Sequence, residues 1–346
     1  MLKDHLDSRI ADIDESLKAL IPETIDESWV LEQFGPTKWK YSEKAVQEAI
    51  ARPAWDLLNR GGKRWRPALM ELCCEAVGGK RSDTKDLLAI PEIIHNGTLM
   101  IDDIEDSSTL RRGKLAIHKI YGEDIAINAG NAMYFLPYLK LKNIEEKKRL
   151  KLLELIYDEM LRLHLGQGKD IYWHRSQIIP TEDEYLQMCA FKTGVLARLS
   201  AKMGAILGDG TEEQIVSLGT FAESIGVAFQ IVDDILNIRP SEKWGKTIGD
   251  DITEGKITLL VIHTLKNAAE KDRQSLLAIL RSKTQEKSKI KEAIQILERY
   301  GAIGYAKKIA DRLVLDAWKQ VKETIIDSDA KTLLKEFADY LIERDI

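Results

Sequence analysis

Between Leu99 and Gly113 the chain reads LMIDDIEDSSTLRRG. Four carboxylates (Asp102, Asp103, Glu105 and Asp106) fall within five residues, and Arg111 and Arg112 follow closely. On a helix Asp102 and Asp106 stand at i and i+4, one above the other, where like charges repel. Placed directly after an apolar run, such a pair needs a cation to offset it. Hard oxygen ligands suit Mg²⁺, which keeps several waters and is usually bound by one or two carboxylates together with substrate phosphates. The forked donors of Arg111 and Arg112 suit the same anions. A solvated acidic turn capped by basic residues is the plainer account of this stretch taken by itself.

A second acidic pair, Asp233 and Asp234 in FQIVDDILNI, lies about 130 residues downstream, again after an apolar helical run. Lys246, Asp250, Asp251 and Lys256 follow in KTIGDDITEGKITL. Two Asp-rich helix ends with cations beside each point to a cavity with metal on both walls. Asp102, Asp106 and Asp233 are the metal candidates, and Gln230 stacks on Asp234 at i and i+4. Upstream, Gly61-Gly62 allow a tight turn, after which Lys63 and Arg66 can aim at one anion near helix-start amides; Arg64 is the less clear member. His95 lies two helical turns before Asp102, on a similar face, with Asn96 next to it. Lys192-Thr193-Gly194 interrupts a helix that opens with a capping box at Thr181 and Glu184.

The elements that must position these residues read as helices. The 346-residue chain is 44% hydrophobic and 31% charged, with eight prolines and few alternating β-branched runs. Segments 146–165 and 211–238 repeat apolar residues at helical spacing, and helices are expected over 68–78, 84–106, 125–141 and 146–172. Nothing divides the chain, so it is expected to be one domain over 1–346, with an arm or first helix at 1–45 and a helical scaffold at 260–346. Trp29, Phe34, Trp39 and Tyr41 are expected to be packing anchors. A net charge of −5 and the lack of a basic block give no reason to expect nucleic acid. The three cysteines have no metal spacing and fit reduced core positions of a cytoplasmic protein. No run of about 18 apolar residues suggests a membrane span.

These motifs resemble those of the trans-type isoprenyl diphosphate synthases. GGKRWRP (61–67), HNGTLMIDDIEDSSTLRRG (95–113), GQGKDIYW (166–173), PTEDEYLQMCAFKTG (180–194), FQIVDDILNI (229–238) and DDITEGKITL (250–259) come in that family's order and approximate spacing. The pattern looks closest to the geranylgeranyl diphosphate synthase branch. The resemblance implies an all-α bundle of antiparallel helices around a deep central cavity, about three Mg²⁺ ions per site and a homodimer. It further implies condensation of isopentenyl diphosphate with an allylic diphosphate. Lys63, Arg66, His95 and Arg112 would bind the isopentenyl substrate. Arg111, Lys192, Thr193, Gln230, Lys246 and Lys256 would bind the allylic one, with Gln167 and Asp170 nearby.

Product length should follow cavity depth. The fourth and fifth residues before Asp102 are Thr98 and Gly97, about one helical turn below it. Short-chain members of the family have an aromatic floor there, so Gly97 and Thr98 predict an open shaft and a product beyond C15, C20 or C25. Met133, Tyr134 and Phe135 are candidates for a deeper floor. Asn237 stands where many relatives have a third Asp, and could bond a metal-bound water. Two rival readings remain, a class I terpene cyclase and an inactive regulatory subunit. The cyclase motif fails from both Asn237 (Ser241 falls one position late) and Asp250 (Ile257 replaces the Glu), and inactive subunits commonly lose acidic or basic positions that are present here.

Overall fold

Runs with apolar residues three and four apart fold into helices here, joined at glycine- and proline-marked turns. The computed structural model describes residues 2–176, 178–239 and 249–342. The helices used below are α1 (Leu2–Leu20), α2 (Trp65–Ala76), α3 (Ala89–Glu105), α4 (Glu123–Phe135), α5 (Glu146–Ser176), α6 (Glu182–Cys189), α7 (Val195–Leu207), α8 (Glu212–Ile238), α9 (Leu259–Asn267), α10 (Glu270–Ser282) and α11 (Ala302–Val321). The only strands among the described residues, β1 (Leu110–Arg111) and β2 (Lys114–Leu115), pair antiparallel. The all-α expectation holds.

Prolines explain where the helices depart from expectation. The helix expected from 84 starts at Ala89, after 3₁₀ turns at Arg81–Asp83 and Lys85–Leu87, with Pro91 in its first turn where no amide donor is required. The span 125–141 is broken before Pro137 into α4 and a short helix, Pro137–Leu141. Phe34 and Trp39, expected as anchors, are exposed.

The chain packs as two compact units. One comprises the residues up to Ile156 together with Ser200–Thr211; the other comprises Tyr157–Leu199 and the residues from Glu212 onward. In the first, the end of α7 lies directly on α2: a Cβ on Gly204 would stand 2.0 Å from the Met70 carbonyl, and one on Gly208 would stand 2.7 Å from that of Cys74. In the second, α8 is the buried spine, with Phe221 against Trp318 of α11 at 5.7 Å between ring centroids. By length and composition α8 could cross a membrane, but most of its apolar residues are buried within this unit. Cys73, Cys74 and Cys189 are buried free thiols, and burial pushes Cys74 up to about 12.

Candidate active site

The candidate residues fall into two groups, one in each unit. In the first, α3 ends inside the acidic run and divides its carboxylates by burial. Asp103 is buried and accepts from Arg111 Nε at 2.8 Å, and Arg111 Nη2 also bonds it. Burial raises the Asp103 carboxyl, opposed by Arg111. Asp102 and Asp106, joined by an Asp106 N–H to Asp102 C=O bond of 2.8 Å, stay partly open to solvent, and Arg111 reaches to 3.9 Å from Asp102. Asp103 thus aims Arg111 at the exposed pair. Sequence reasoning missed this role, because four adjacent carboxylates look alike until burial sorts them.

The RRGK run forms a two-residue hairpin turn. Arg112 and Gly113 both have positive φ (52° and 75°), the combination that matches the twist of paired strands. Left-handed backbone is unfavourable for arginine, and hydrogen bonds hold it in place. Arg112 Nη1 bonds the Gly61 carbonyl and, at 3.2 Å, that of Leu57, while Arg60 bonds the carbonyls of Arg111 (3.2 Å) and Leu115 (2.8 Å). The hairpin is therefore tied to the Gly61-Gly62 turn, and the Arg112 guanidinium lies over Gly62, 3.3 Å from where a Cβ would sit. The turn sends Arg111 to Asp103 and Arg112 to the Gly61 carbonyl, and the sequence signals it through Gly113.

These contacts gather cations around His95. Burial, then Arg66, Arg112, Arg111 and Arg64, hold its imidazole well below the usual range, so the ring is neutral. Lys63 lies exposed in the loop before α2 rather than on its first turn, and Arg66 is buried near the helix start with its guanidinium over the Trp65 ring at 4.2 Å. Arg64 is separate from them: buried, with left-handed backbone, it pairs with Glu92 at 2.6 Å and with Asp14 at 3.4 Å. Asn96 bonds Glu92 as well, at 2.8 Å.

Gly97 packs directly against α4. A Cβ there would lie 3.0 Å from the Gly130 carbonyl and from Met133 Cβ, and 3.1 Å from Tyr134 Cε1, so α4 already fills the space. Thr98 is partly exposed and turns its hydroxyl back to the His95 carbonyl. Tyr134 is the aromatic beside Gly97; burial, then Glu105 and Asp102, raise its hydroxyl, which places the ring within the field of the acidic run. Met133 is fully buried and Phe135 is exposed.

In the second unit, α6 passes into α7 through a π turn at Ala190–Gly194, a widening common at functional sites. Glycines let two helices, α5 and α8, close on this turn. A Cβ on Gly166 of α5 would stand 2.5 Å from Lys192 N, and one on Gly226 of α8 would stand 2.6 Å from Gly194 Cα. Lys192 Nζ is thereby held 2.5 Å from Asp170 Oδ2. Thr193 donates to Gln230 Oε1 at 2.9 Å, Gln230 donates to Asp234 Oδ1 at 2.9 Å, and the Tyr185 hydroxyl bonds Asp234 Oδ2. Burial, then Asp251, push Asp234 up to about 8. Asp234 is thus a buried anchor, and its neighbour Asp233 is partly open.

Asn237 is also structural: its Oδ1 accepts from Asp251 N–H at 3.2 Å and its carbonyl accepts from Gly249 N–H at 2.8 Å. Lys256 follows a left-handed Gly255 and pairs with Glu254 at 2.5 Å. Lys246 and Ser241 lie outside the described residues.

Among the described residues no three His, Cys, Asp or Glu side chains form a metal cage. Asp102 and Asp106 supply hard oxygens one turn apart and partly open. That set fits Mg²⁺ when phosphate oxygens complete its shell.

The polyprenyl synthetase family model matches residues 47–297. The chain is 37% identical to the short chain isoprenyl diphosphate synthase of Methanothermobacter thermautotrophicus, covering 88% of this chain and 97% of that one. It is 33% identical to the geranylgeranyl diphosphate synthase of Methanosarcina mazei, covering 86% and 90%. Among solved structures, geranylgeranyl pyrophosphate synthetase from Pyrococcus horikoshii superposes with a TM-score of 0.86 at 33% identity, over 99% of this chain and 98% of that one.

Proposed function

This chain belongs to the polyprenyl synthetase family, and from that membership we propose that it condenses isopentenyl diphosphate with an allylic diphosphate to make C20 geranylgeranyl diphosphate. It is a prenyltransferase. The observation that carries the substrate reading is the gathering of Arg66 and Arg112 around a neutral His95, in the same unit as the partly open Asp102 and Asp106. Such cations suit one diphosphate, and such carboxylates suit the metal of another.

Asp102, Asp106 and Asp233 would hold Mg²⁺, which when bound neutralises the leaving diphosphate. Arg111, Lys192 and Lys256 bind the allylic diphosphate, together with Thr193 and Gln230, which bond each other at 2.9 Å. Lys63, Arg66, His95 and Arg112 hold isopentenyl diphosphate, so both reactants are positioned before bonds change. The allylic C–O bond breaks, and its electron pair leaves with the diphosphate. The isopentenyl double bond attacks the resulting carbocation. Loss of a proton then restores a double bond, and the released diphosphate accepts that proton. Relatives named geranylgeranyl diphosphate synthases support the C20 product. A cytoplasmic homodimer is the working form.

Incubation with Mg²⁺, labelled isopentenyl diphosphate and each allylic primer tests this reading. A C20 product, lost on Asp102→Ala, is expected. No condensation with any primer would favour a regulatory subunit.

A further inference from the structure

Within the second unit, a groove of about 320 Å³ runs between α9, α10 and the Ile179-Pro180 segment. Its floor is apolar, formed by Ile262, Leu265 and Leu277, with Lys266 and Arg273 beside them. A small cavity of about 20 Å³ adjoins it through the shared Ile179 and Leu277 and reaches Gly255 and Ile257, the neighbours of Lys256. Every charged or titratable described residue that lines either space is basic: Lys266, Arg273, His174, Arg281 and Lys283. In a chain of net charge −5 that exclusion of carboxylates marks a place suited to an anion. The volume is that of a small-molecule site.

We propose that this groove is a second, metal-independent binding site for a long-chain prenyl diphosphate, the class of molecule the chain makes. The inference rests on the functional reading above. An apolar tail lies along Ile262, Leu265 and Leu277, and the diphosphate meets Lys266 and Arg273. Arg273 is the better placed cation, because its Nε is buried without a hydrogen-bond partner among the described residues. Its Nη1 lies 3.5 Å from Glu270, at the limit of a hydrogen bond. Lys283, by contrast, already contacts the His174 ring. Because the adjoining cavity touches the residues on either side of Lys256, occupancy slows condensation.

Equilibrium dialysis of radiolabelled geranylgeranyl diphosphate against the full chain in EDTA tests the site without metal or turnover. One saturable site per chain is expected, weakened about tenfold or more by Arg273→Glu and unchanged by Lys192→Ala. Arg273→Glu should leave initial condensation rates in Mg²⁺ unchanged and relieve inhibition by added product. Absence of saturable binding in EDTA overturns the proposal, as does binding that survives Arg273→Glu but is lost in Lys192→Ala. Failure of the wild-type chain to condense its substrates would sink the functional reading separately.

Discussion

Lys63 and Arg64 are adjacent and carry the same charge, but their surroundings differ. Lys63 is exposed, whereas Arg64 is buried against Glu92. Lys63→Ala should raise KM for isopentenyl diphosphate about tenfold and leave Tm nearly unchanged. Arg64→Ala strands the Glu92 carboxylate, and denaturant melts should show a loss of about 3–5 kcal/mol. The sequence offers both residues in one basic motif and cannot separate them, because the ion pair spans 28 positions. Glu71 allows a pH test. Burial pushes its carboxyl up to about 7, against the pull of Arg9. The folded chain therefore keeps a proton that the unfolded chain releases above pH 4.5. Stability from this group is fully present at lower pH and falls as pH rises toward 7, by on the order of 3 kcal/mol. Urea melts across that range should show the slope in wild type and a flatter one in Glu71→Gln.

At the scale of elements, glycine does two opposite jobs. Gly226 touches Gly194, so Gly226→Ala must displace the π turn that carries Lys192. It should cost about 1–3 kcal/mol by overpacking and raise KM for the allylic diphosphate. Gly168 lies within α5 with open space around it, and Gly168→Ala should stabilise by about 0.5–1 kcal/mol. The sequence showed the Lys192-Thr193-Gly194 interruption, but a π turn depends on what packs against it. The contact between α3 and α4 gives a product-length test. Tyr134→Ala removes the ring beside Gly97 and should lengthen the product seen by chain-length analysis. Gly97→Ala should lower Tm without shortening the product, since α4 already occupies that space.

For the molecule as a whole, helical content and the order of motifs were legible in the sequence, because apolar spacing and motif residues are local signals. The division into two units was not, because the first unit is completed by residues 200–211, which follow a long stretch assigned to the other. A fragment ending at Ile156 therefore lacks the helix end that covers Met70 and Cys74. Circular dichroism should show no cooperative melt for that fragment, and one should return when a Gly/Ser linker joins Ile156 to Ser200 and the chain ends at Thr211.

The close seating of Gly204 and Gly208 on α2 also sets an order of events during protein synthesis. The segment carrying Asp102 leaves the ribosome long before residues 200–211 do. Until those residues emerge, one side of α2 has no helix against it, and the nascent chain presents apolar surface. Translation past Thr211, rather than past the acidic run, is the moment at which the first half of this protein can close, and chaperones have until then to shield it.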